Sequence, residues 1–300
     1  MISTRTLAAA LALCATAVAG CGLGPGKDEG DVELTVSRDY GTKVMLQTSD
    51  SIRESDTVIR LLDRNADITT RYGGGFIQSI DGLAGSQSGG RRSDWFFYVN
   101  GIESPIGSAE YDPSGGDRIW WDYRDWTAAM RVPAVVGSWP EPFLHGFEGR
   151  RWTVHPVCLI GGGICDTVIR RLEAAGIRAP GFGSRSITLD IGPWDAIRRE
   201  APANLLAEGP ERSGVFARFV GERKPLLELL NQRGQPAGSI GKGGGLIAAL
   251  RPGDGPPTWV VTGTDAKGVA AAAALLGDSL RNHYALATQP GAGAIGVPVP

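Results

Sequence analysis

Residues 95–101 constrain the fold of this chain more than any other stretch. They read Trp-Phe-Phe-Tyr-Val and then Asn100-Gly101. Aromatic and β-branched residues favour a pleated strand, and an Asn-Gly pair favours the tight type I′ turn of a hairpin. Residues 116–123, Gly-Asp-Arg-Ile-Trp-Trp-Asp-Tyr, have the same character and predict a second strand. The first part of the chain is therefore expected to form a β-sheet.

Weaker patterns place further elements around these two strands. Residues 31–37 and 43–48 alternate in polarity on either side of a turn and predict a hairpin. Apolar residues at helical spacing after Ser55 or Asp56, either of which can cap, predict a short helix. Residues 76–80 predict a strand, whereas residues 83–92 are rich in Gly and Ser and predict a loop.

In this order, the helix near residues 56–62 and the motifs at 76–83, 95–101 and 116–123 resemble the transcobalamin-like C-terminal domain family. The resemblance covers about a hundred residues. It implies a β-grasp-like α+β first domain, residues 31–127. In vertebrate transcobalamin and intrinsic factor such a domain forms one side of the cobalamin site, and many bacterial members are exported modules. Cobalamin is thus a ligand that the resemblance suggests.

Period-two geometry divides the aromatic residues of the two strands between the two faces of the sheet. The predicted core face holds Trp95, Phe97, Val99, Ile119, Trp121 and Tyr123. The opposite face holds Phe96, Tyr98, Trp120 and Trp126, which we interpret as an exposed platform for a flat ligand or a carbohydrate. The alternative is that a second domain covers this face, in which case the ligand lies elsewhere.

The N-terminus predicts export and lipid anchoring. Residues 1–20 combine Arg5 with a short apolar run and small residues before Cys21, as in a bacterial lipoprotein signal peptide. Acylated Cys21 would hold the protein on the outer face of the membrane by membrane lipid, through a flexible tether at residues 21–30. The alternative is an ordinary secretory peptide in which Cys21 is incidental.

Two further cysteines would remain in the mature chain. Cys158 and Cys165 flank a glycine-rich loop, and an even pair in an oxidising compartment predicts a disulfide. A metal site formed by His155 and both cysteines is the alternative, but it lacks a fourth ligand and the close Cys-x-x-Cys pair of structural zinc sites. We therefore expect no metal.

Strand and helix patterns alternate after residue 130, which predicts an α/β layered second domain at residues 131–290 and a flexible tail at 291–300. The predicted strands are residues 132–136, 152–159, 186–191, 214–220, 246–250 and 259–262. The predicted helices are residues 166–175, 194–200, 225–230 and 265–276. The start of the last helix, capped by Thr264 or Asp265, is a candidate anion site.

Charge and motifs narrow the class of function. A formal net charge of -2 disfavours nucleic acid as a partner. The glycine-rich stretches lack the spacing of a phosphate loop or a dinucleotide fingerprint, and no Gly-x-Ser-x-Gly elbow is present. We therefore expect that the protein binds no cofactor and is not an enzyme. The sequence favours a lipid-anchored extracytoplasmic ligand-binding protein, such as an accessory to small-molecule uptake; the alternative is a cell-surface protein or glycan interaction module.

Overall fold

The computed structural model describes residues 26–179 and 185–300, which are mostly β-sheet. In the first 125 residues the described elements are β1 (Asp28–Arg38), β2 (Lys43–Arg53), α1 (Val58–Asn65), β3 (Ile68–Arg71), β4 (Phe76–Ile80), β5 (Leu83–Ala84), β6 (Ser86–Ser88), β7 (Arg91–Val99), β8 (Ile102–Glu103) and β9 (Arg118–Asp125).

The elements that follow, within the described part, are β10 (Thr153–Cys158), α2 (Ile164–Ala174), β11 (Ser186–Pro193), α3 (Trp194–Ile197), α4 (Pro210–Ser213), β12 (Ala217–Val220), β13 (Leu226–Leu230), β14 (Pro236–Ile240), β15 (Gly245–Leu250), β16 (Thr258–Gly263), α5 (Ala266–Leu275), β17 (Ala285–Gln289) and β18 (Gly293–Val297). Short 3-10 turns occur at Tyr72–Gly74, Ala203–Ala207 and Asp278–Leu280.

The first sheet is mixed, in the order β2-β1-β9-β7-β6, with β8 paired to β7. β1 runs parallel to β9 and antiparallel to β2, and β7 runs antiparallel to β9. One face packs against α1, whose Val58, Leu61 and Leu62 are buried with Trp95 and Trp121 in one apolar cluster. The predicted alternation of β7 and β9 is therefore confirmed on this face.

The second sheet has the order β10-β11-β16-β15-β17-β18. Strands β10, β11 and β16 are parallel, and the other pairings are antiparallel. α2 and α5 bury their apolar sides on one face, where Leu172 and Ala272 join Leu189 and Val261. The chain is thus layered, with helices on one side of this sheet.

The other face of the second sheet packs against two other parts of the same chain. One is the small sheet β12-β13-β14, which contributes Phe219 and Leu227 to a shared cluster. The other is the first sheet, whose Tyr98 and Trp120 belong to the same cluster as Val260 of β16. The two large sheets therefore share one buried apolar cluster, and each has a second cluster on its helix-covered face.

Several predicted elements differ from the structure. Residues 225–230 were expected to be helical, but Leu226–Leu230 is the central strand of the small sheet, where Leu227 and Leu229 are buried and Glu228 pairs with Arg218 at 2.6 Å. A leucine-rich run is compatible with either structure, and strand pairing with β12 and β14 decided the outcome. The helix expected at 194–200 ends at Ile197.

The predicted limits of the tether, the tail and several strands also differ from the structure. Asp28–Arg38 includes residues assigned to the tether, and the tail expected to be flexible contains β18, in which Val297 is 2% exposed. Residues 132–136 form only an isolated bridge between Ala134 and Ile102 rather than a strand. β5 and β6 lie within the predicted loop 83–92. β5, β6 and β18 each pair with a strand only a few residues away, but they are short and rich in small or polar residues, so they show little periodicity in the sequence.

Among the described helices, none is both long and apolar enough to cross a membrane.

Candidate functional site

A cavity of about 590 Å³ lies between two segments on one side of the first sheet. We call it the Asp117 cavity. One wall comes from residues 105–117, which connect β8 to β9, and the other comes from residues 145–151, which precede β10. It is lined by Pro105, Ile106, Tyr111, Asp112, Ser114, Gly115, Asp117, His145, Phe147, Glu148, Gly149, Arg150 and Arg151.

The predicted Asn-Gly turn positions Asp117. Asn100 adopts a left-handed φ of 53° and is 1% exposed. Its Nδ2 donates to Asp117 Oδ1 and to the Gly146 carbonyl, each at 2.7 Å, while its Oδ1 accepts from the Arg118 N–H at 2.8 Å. Asn100 therefore ties the two walls together. Burial raises the pKa of Asp117, against the opposing effect of a hydrogen bond from the Ser114 N–H.

His145 stands beside Asp117 and is held by a buried carboxylate. Its Nδ1 lies 2.6 Å from Glu141 Oε1, and its backbone N–H donates to Glu141 Oε2 at 2.8 Å. Burial raises the pKa of Glu141. The imidazole packs directly on Gly116, where a Cβ would lie 2.7 Å from Nε2, and the φ of +90° also favours glycine.

The rest of the cavity has one apolar side and one charged rim. Ile106 is 44% exposed, and Phe147 stacks on Trp152 with ring centroids 5.3 Å apart. Arg150 and Arg151 are exposed at the rim. Chemically, the site offers hydrogen-bond acceptors at its floor, guanidinium donors at its edge and an apolar wall. This is the composition of many small-molecule sites.

The predicted aromatic platform is not an open surface. Tyr98 is 0% exposed and Trp120 is 2% exposed. Both pack on Tyr284, which precedes β17, with centroid distances of 5.7 and 5.3 Å. Phe96 is half-buried beneath the Arg124 guanidinium at 3.7 Å. The second sheet covers this face, as the alternative interpretation anticipated, so Tyr98 and Trp120 are not available to a ligand. Trp126, which directly follows β9, is half-buried.

A polar network lies within this aromatic interface. Trp120 Nε1 donates to Ser37 Oγ at 2.7 Å, and Ser37 Oγ donates to Asp122 Oδ1 at 2.6 Å. Tyr284 donates to the other carboxylate oxygen at 3.0 Å. Burial raises the pKa of Asp122 to about 6. These contacts assign the network to the junction of the two sheets rather than to an open site.

The structure bears on two further predicted sites, the cysteine pair and the start of the last helix. Cys158 and Cys165 are paired in a disulfide with a Cα to Cα distance of 6.1 Å, so neither offers a thiolate to His155. At the start of α5, Asp265 itself accepts hydrogen bonds from the N–H groups of Gly268 and Gly243 at 3.0 Å. A carboxylate thus already occupies the predicted anion site. Cys21 lies outside the described residues.

In the described part of the chain, no three His, Cys, Asp or Glu side chains are grouped to hold a metal ion. Sequence reasoning missed Asp117, Glu141 and His145. The spacing of Glu141 and His145 by four residues was a visible signal, but it lies in a proline-rich segment without a predicted helix.

Comparisons with known proteins cover part of the chain. Residues 55–125 match the model of a domain of unknown function, DUF4430. No curated protein sequence matches.

Two solved structures have low similarity. One is a protein from Ruminococcus gnavus ATCC 29149 for which metal binding has been suggested, with 14% identity, 32% of this chain and 98% of that chain covered, and a TM-score of 0.25. The other is haptocorrin in complex with Cbi, with 13% identity, 32% of this chain and 26% of that chain covered, and a TM-score of 0.27. With TM-scores this low, we base no inference on either structure.

Proposed function

We propose that this protein is a lipid-anchored, extracytoplasmic small-molecule-binding protein whose ligand occupies the Asp117 cavity. The observation that carries the proposal is the cavity itself: about 590 Å³ that combines an apolar wall with a floor formed by Asp117 and His145. This volume lies within the usual range for ligand sites. Binding rather than catalysis is the proposed activity.

The sequence resemblance to the transcobalamin-like C-terminal domain family supports a binding role for the first part of the chain. The motifs that resemble the transcobalamin-like C-terminal domain family fall largely within residues 55–125, the range matched by the domain model. We propose a β-grasp-like domain for residues 31–127, and a mixed sheet with α1 on one face is compatible with that proposal. The ligand would then meet this domain at the connection between β8 and β9.

The floor of the cavity favours a ligand with a cationic or hydrogen-bond-donating group. Asp117 is fixed by Asn100 and the Ser114 N–H, and it is 7% exposed. A fixed carboxylate loses little conformational freedom when a donor binds. Arg150 and Arg151 add donors for carbonyl, carboxylate or phosphate groups at the rim.

The decisive experiment is to purify the protein from its own membrane and identify retained small molecules by mass spectrometry. We expect one species at one copy per chain. The Asp117→Asn and His145→Ala variants should retain at least tenfold less of it. Asp166→Asn, an exchange in α2 away from the cavity, serves as the control. Equal retention by all variants would show that the ligand lies elsewhere, and no retained species would reject tight binding.

Lipid anchoring has its own test. The native chain should partition into detergent with acylated Cys21 at its N-terminus, and Cys21→Ser should move it to the aqueous phase. Peptide mass spectrometry that found free Cys21, or cleavage at another position, would reject the anchor without bearing on the cavity.

A further inference from the structure

We propose that a polar groove crossing Trp126 binds an oligosaccharide. Two depressions, of about 210 and 580 Å³, share the Trp126 side chain. We call them together the Trp126 groove. The smaller one is formed by the first sheet and its neighbours, and includes Gln78, Gln87 and Asp94. The larger one continues onto the small sheet and α4, and includes Glu211, Arg218 and Arg233.

Trp126 is positioned by a set of backbone contacts. Its N–H donates to the Arg92 carbonyl at 2.8 Å, and the Arg92 N–H donates to Thr127 Oγ1 at 3.0 Å. The Thr127 N–H donates in turn to Asp125 Oδ1 at 2.9 Å. The Arg92 guanidinium lies 4.2 Å from the centre of the indole ring. The tryptophan is therefore anchored at its backbone, and the Arg92 guanidinium covers one face of its indole. The half-buried side chain lines both depressions, which leaves the remaining indole surface for a ligand.

The chemistry around Trp126 suits sugars. A pyranose ring presents apolar C–H groups that pack on aromatic rings, and hydroxyl groups that both donate and accept hydrogen bonds. The groove supplies an indole together with amide, carboxylate and guanidinium groups, which cover both needs. Its charges are mixed: Arg92, Arg218 and Arg233 lie near Glu208 and Glu211 in the larger depression. Mixed charge favours a hydroxyl-rich ligand over a polyanion.

The arrangement also favours a chain of sugars over a single one. The depressions lie on two parts of the molecule and meet at one aromatic residue. A ligand that fills both must be extended. Met130, 69% exposed, lies beside Trp126 in the larger depression and extends the apolar contact.

This site uses none of the residues of the Asp117 cavity, so it does not depend on the function proposed above. Chitotetraose, cellotetraose and mannotetraose are suitable soluble probes, titrated against the full mature chain by calorimetry and by quenching of tryptophan fluorescence. At least one should bind, and the corresponding monosaccharide should bind at least tenfold more weakly. Equal affinity for the monosaccharide would reject the extended groove.

Substitutions connect the binding to the groove. Trp126→Ala should weaken binding about tenfold, the size expected for the loss of one aromatic contact. Gln87→Ala, an exposed position on β6, tests the smaller depression without disturbing the core and should also weaken binding. Met45→Ala, an exposed apolar position on β2 outside the groove, is the control and should leave affinity unchanged.

The proposal is overturned if none of the three tetrasaccharides binds, or if Trp126→Ala and Gln87→Ala both retain the affinity of the native protein. Circular dichroism establishes that each variant is folded. If Trp126→Ala fails to fold, Gln87→Ala and Trp126→Phe decide the question, with Trp126→Phe expected to retain most of the binding.

Discussion

Trp120 and Trp121 are adjacent on β9 and point to opposite faces of the first sheet. Trp121 packs on the α1 side, with Phe97 at a centroid distance of 4.9 Å. Trp120 packs on the side of the second sheet. Trp120 is 2% exposed and Trp121 is 3% exposed. Alternation separates the two side chains correctly, but the opposite face proves to be an interface rather than a surface.

Both tryptophans should therefore be important for stability. We expect Trp120→Ala and Trp121→Ala each to lower the free energy of unfolding by about 3–5 kcal/mol, because each leaves a large cavity in a packed cluster. Urea unfolding followed by circular dichroism measures the effect. A loss below about 1 kcal/mol for Trp120→Ala would mean that the two sheets separate readily in solution.

Asp122 gives the same interface a pH dependence. Burial raises its pKa from 3.8 to about 6 in the folded chain. Between these values the folded state binds more protons than the unfolded state, so the free energy of unfolding falls as pH rises from about 4 to 6 and then levels off. The contribution is at most about 3 kcal/mol.

Urea unfolding between pH 4 and 7 tests this linkage. Asp122→Asn, which preserves an oxygen acceptor for Ser37 and the Gly41 N–H, should flatten the dependence. Asp190, whose pKa burial also raises to about 6, titrates in the same range, so Asp190→Asn should remove a separate part. A slope unchanged by Asp122→Asn would show that its carboxyl is hydrated in solution.

At the scale of elements, the disulfide connects the end of β10 to the first turn of α2. It closes a loop with a sequence separation of seven residues between Cys158 and Cys165. A loop this short constrains the unfolded chain only modestly. The same bond fixes the glycine-rich connection between β10, an edge strand of the second sheet, and α2, a helix packed on that sheet.

Replacement of both cysteines by serine should lower the free energy of unfolding by about 2–3 kcal/mol. The native chain treated with a reductant is the matched comparison and should lose a similar amount. Mass spectrometry of unreduced peptides establishes whether the bond is formed in the native protein. Two free thiols there would contradict the pairing, whatever the unfolding measurements show.

The element predictions failed where pairing overrode local preference. The run Leu226–Leu230 has good helix formers, yet it is a strand because β12 and β14 satisfy its backbone on both sides. The sequence predicts a tail at β18 for a related reason: its residues are small, and they form a strand only through pairing with β17. Intrinsic propensity is about 1 kcal/mol or less per residue for most residue types, so tertiary partners readily reverse it.

At the scale of the whole molecule, the two large sheets share a core. Tyr40 from the turn between β1 and β2, and Tyr98 and Trp120 from the first sheet, lie in one buried cluster. Phe216 and Tyr284 from the later part of the chain belong to the same cluster. Arg124 is buried beside them and donates to the Ala129 and Met130 carbonyls at 2.8 and 3.0 Å. These buried contacts disfavour free movement of the two sheets relative to each other.

We therefore expect one cooperative unfolding transition for the whole chain. Near-ultraviolet and far-ultraviolet circular dichroism should report coincident urea curves. A fragment of residues 26–127 should bind a hydrophobic dye, because Tyr98 and Trp120 would be uncovered. Two separate transitions, or a stable fragment that binds no dye, would show that the sheets fold as independent units.

The sequence by itself determined strands β7 and β9, the turn at Asn100, the short helix α1 and the candidate cysteine pair, because each depends on neighbours within a few residues. Only the tertiary structure decided what covers Trp120 and where a cavity forms. Alternation defines two faces of a strand but not what packs against them. The walls of the Asp117 cavity come from separate segments that Asn100 joins through Gly146, and such contacts between distant residues leave no local pattern.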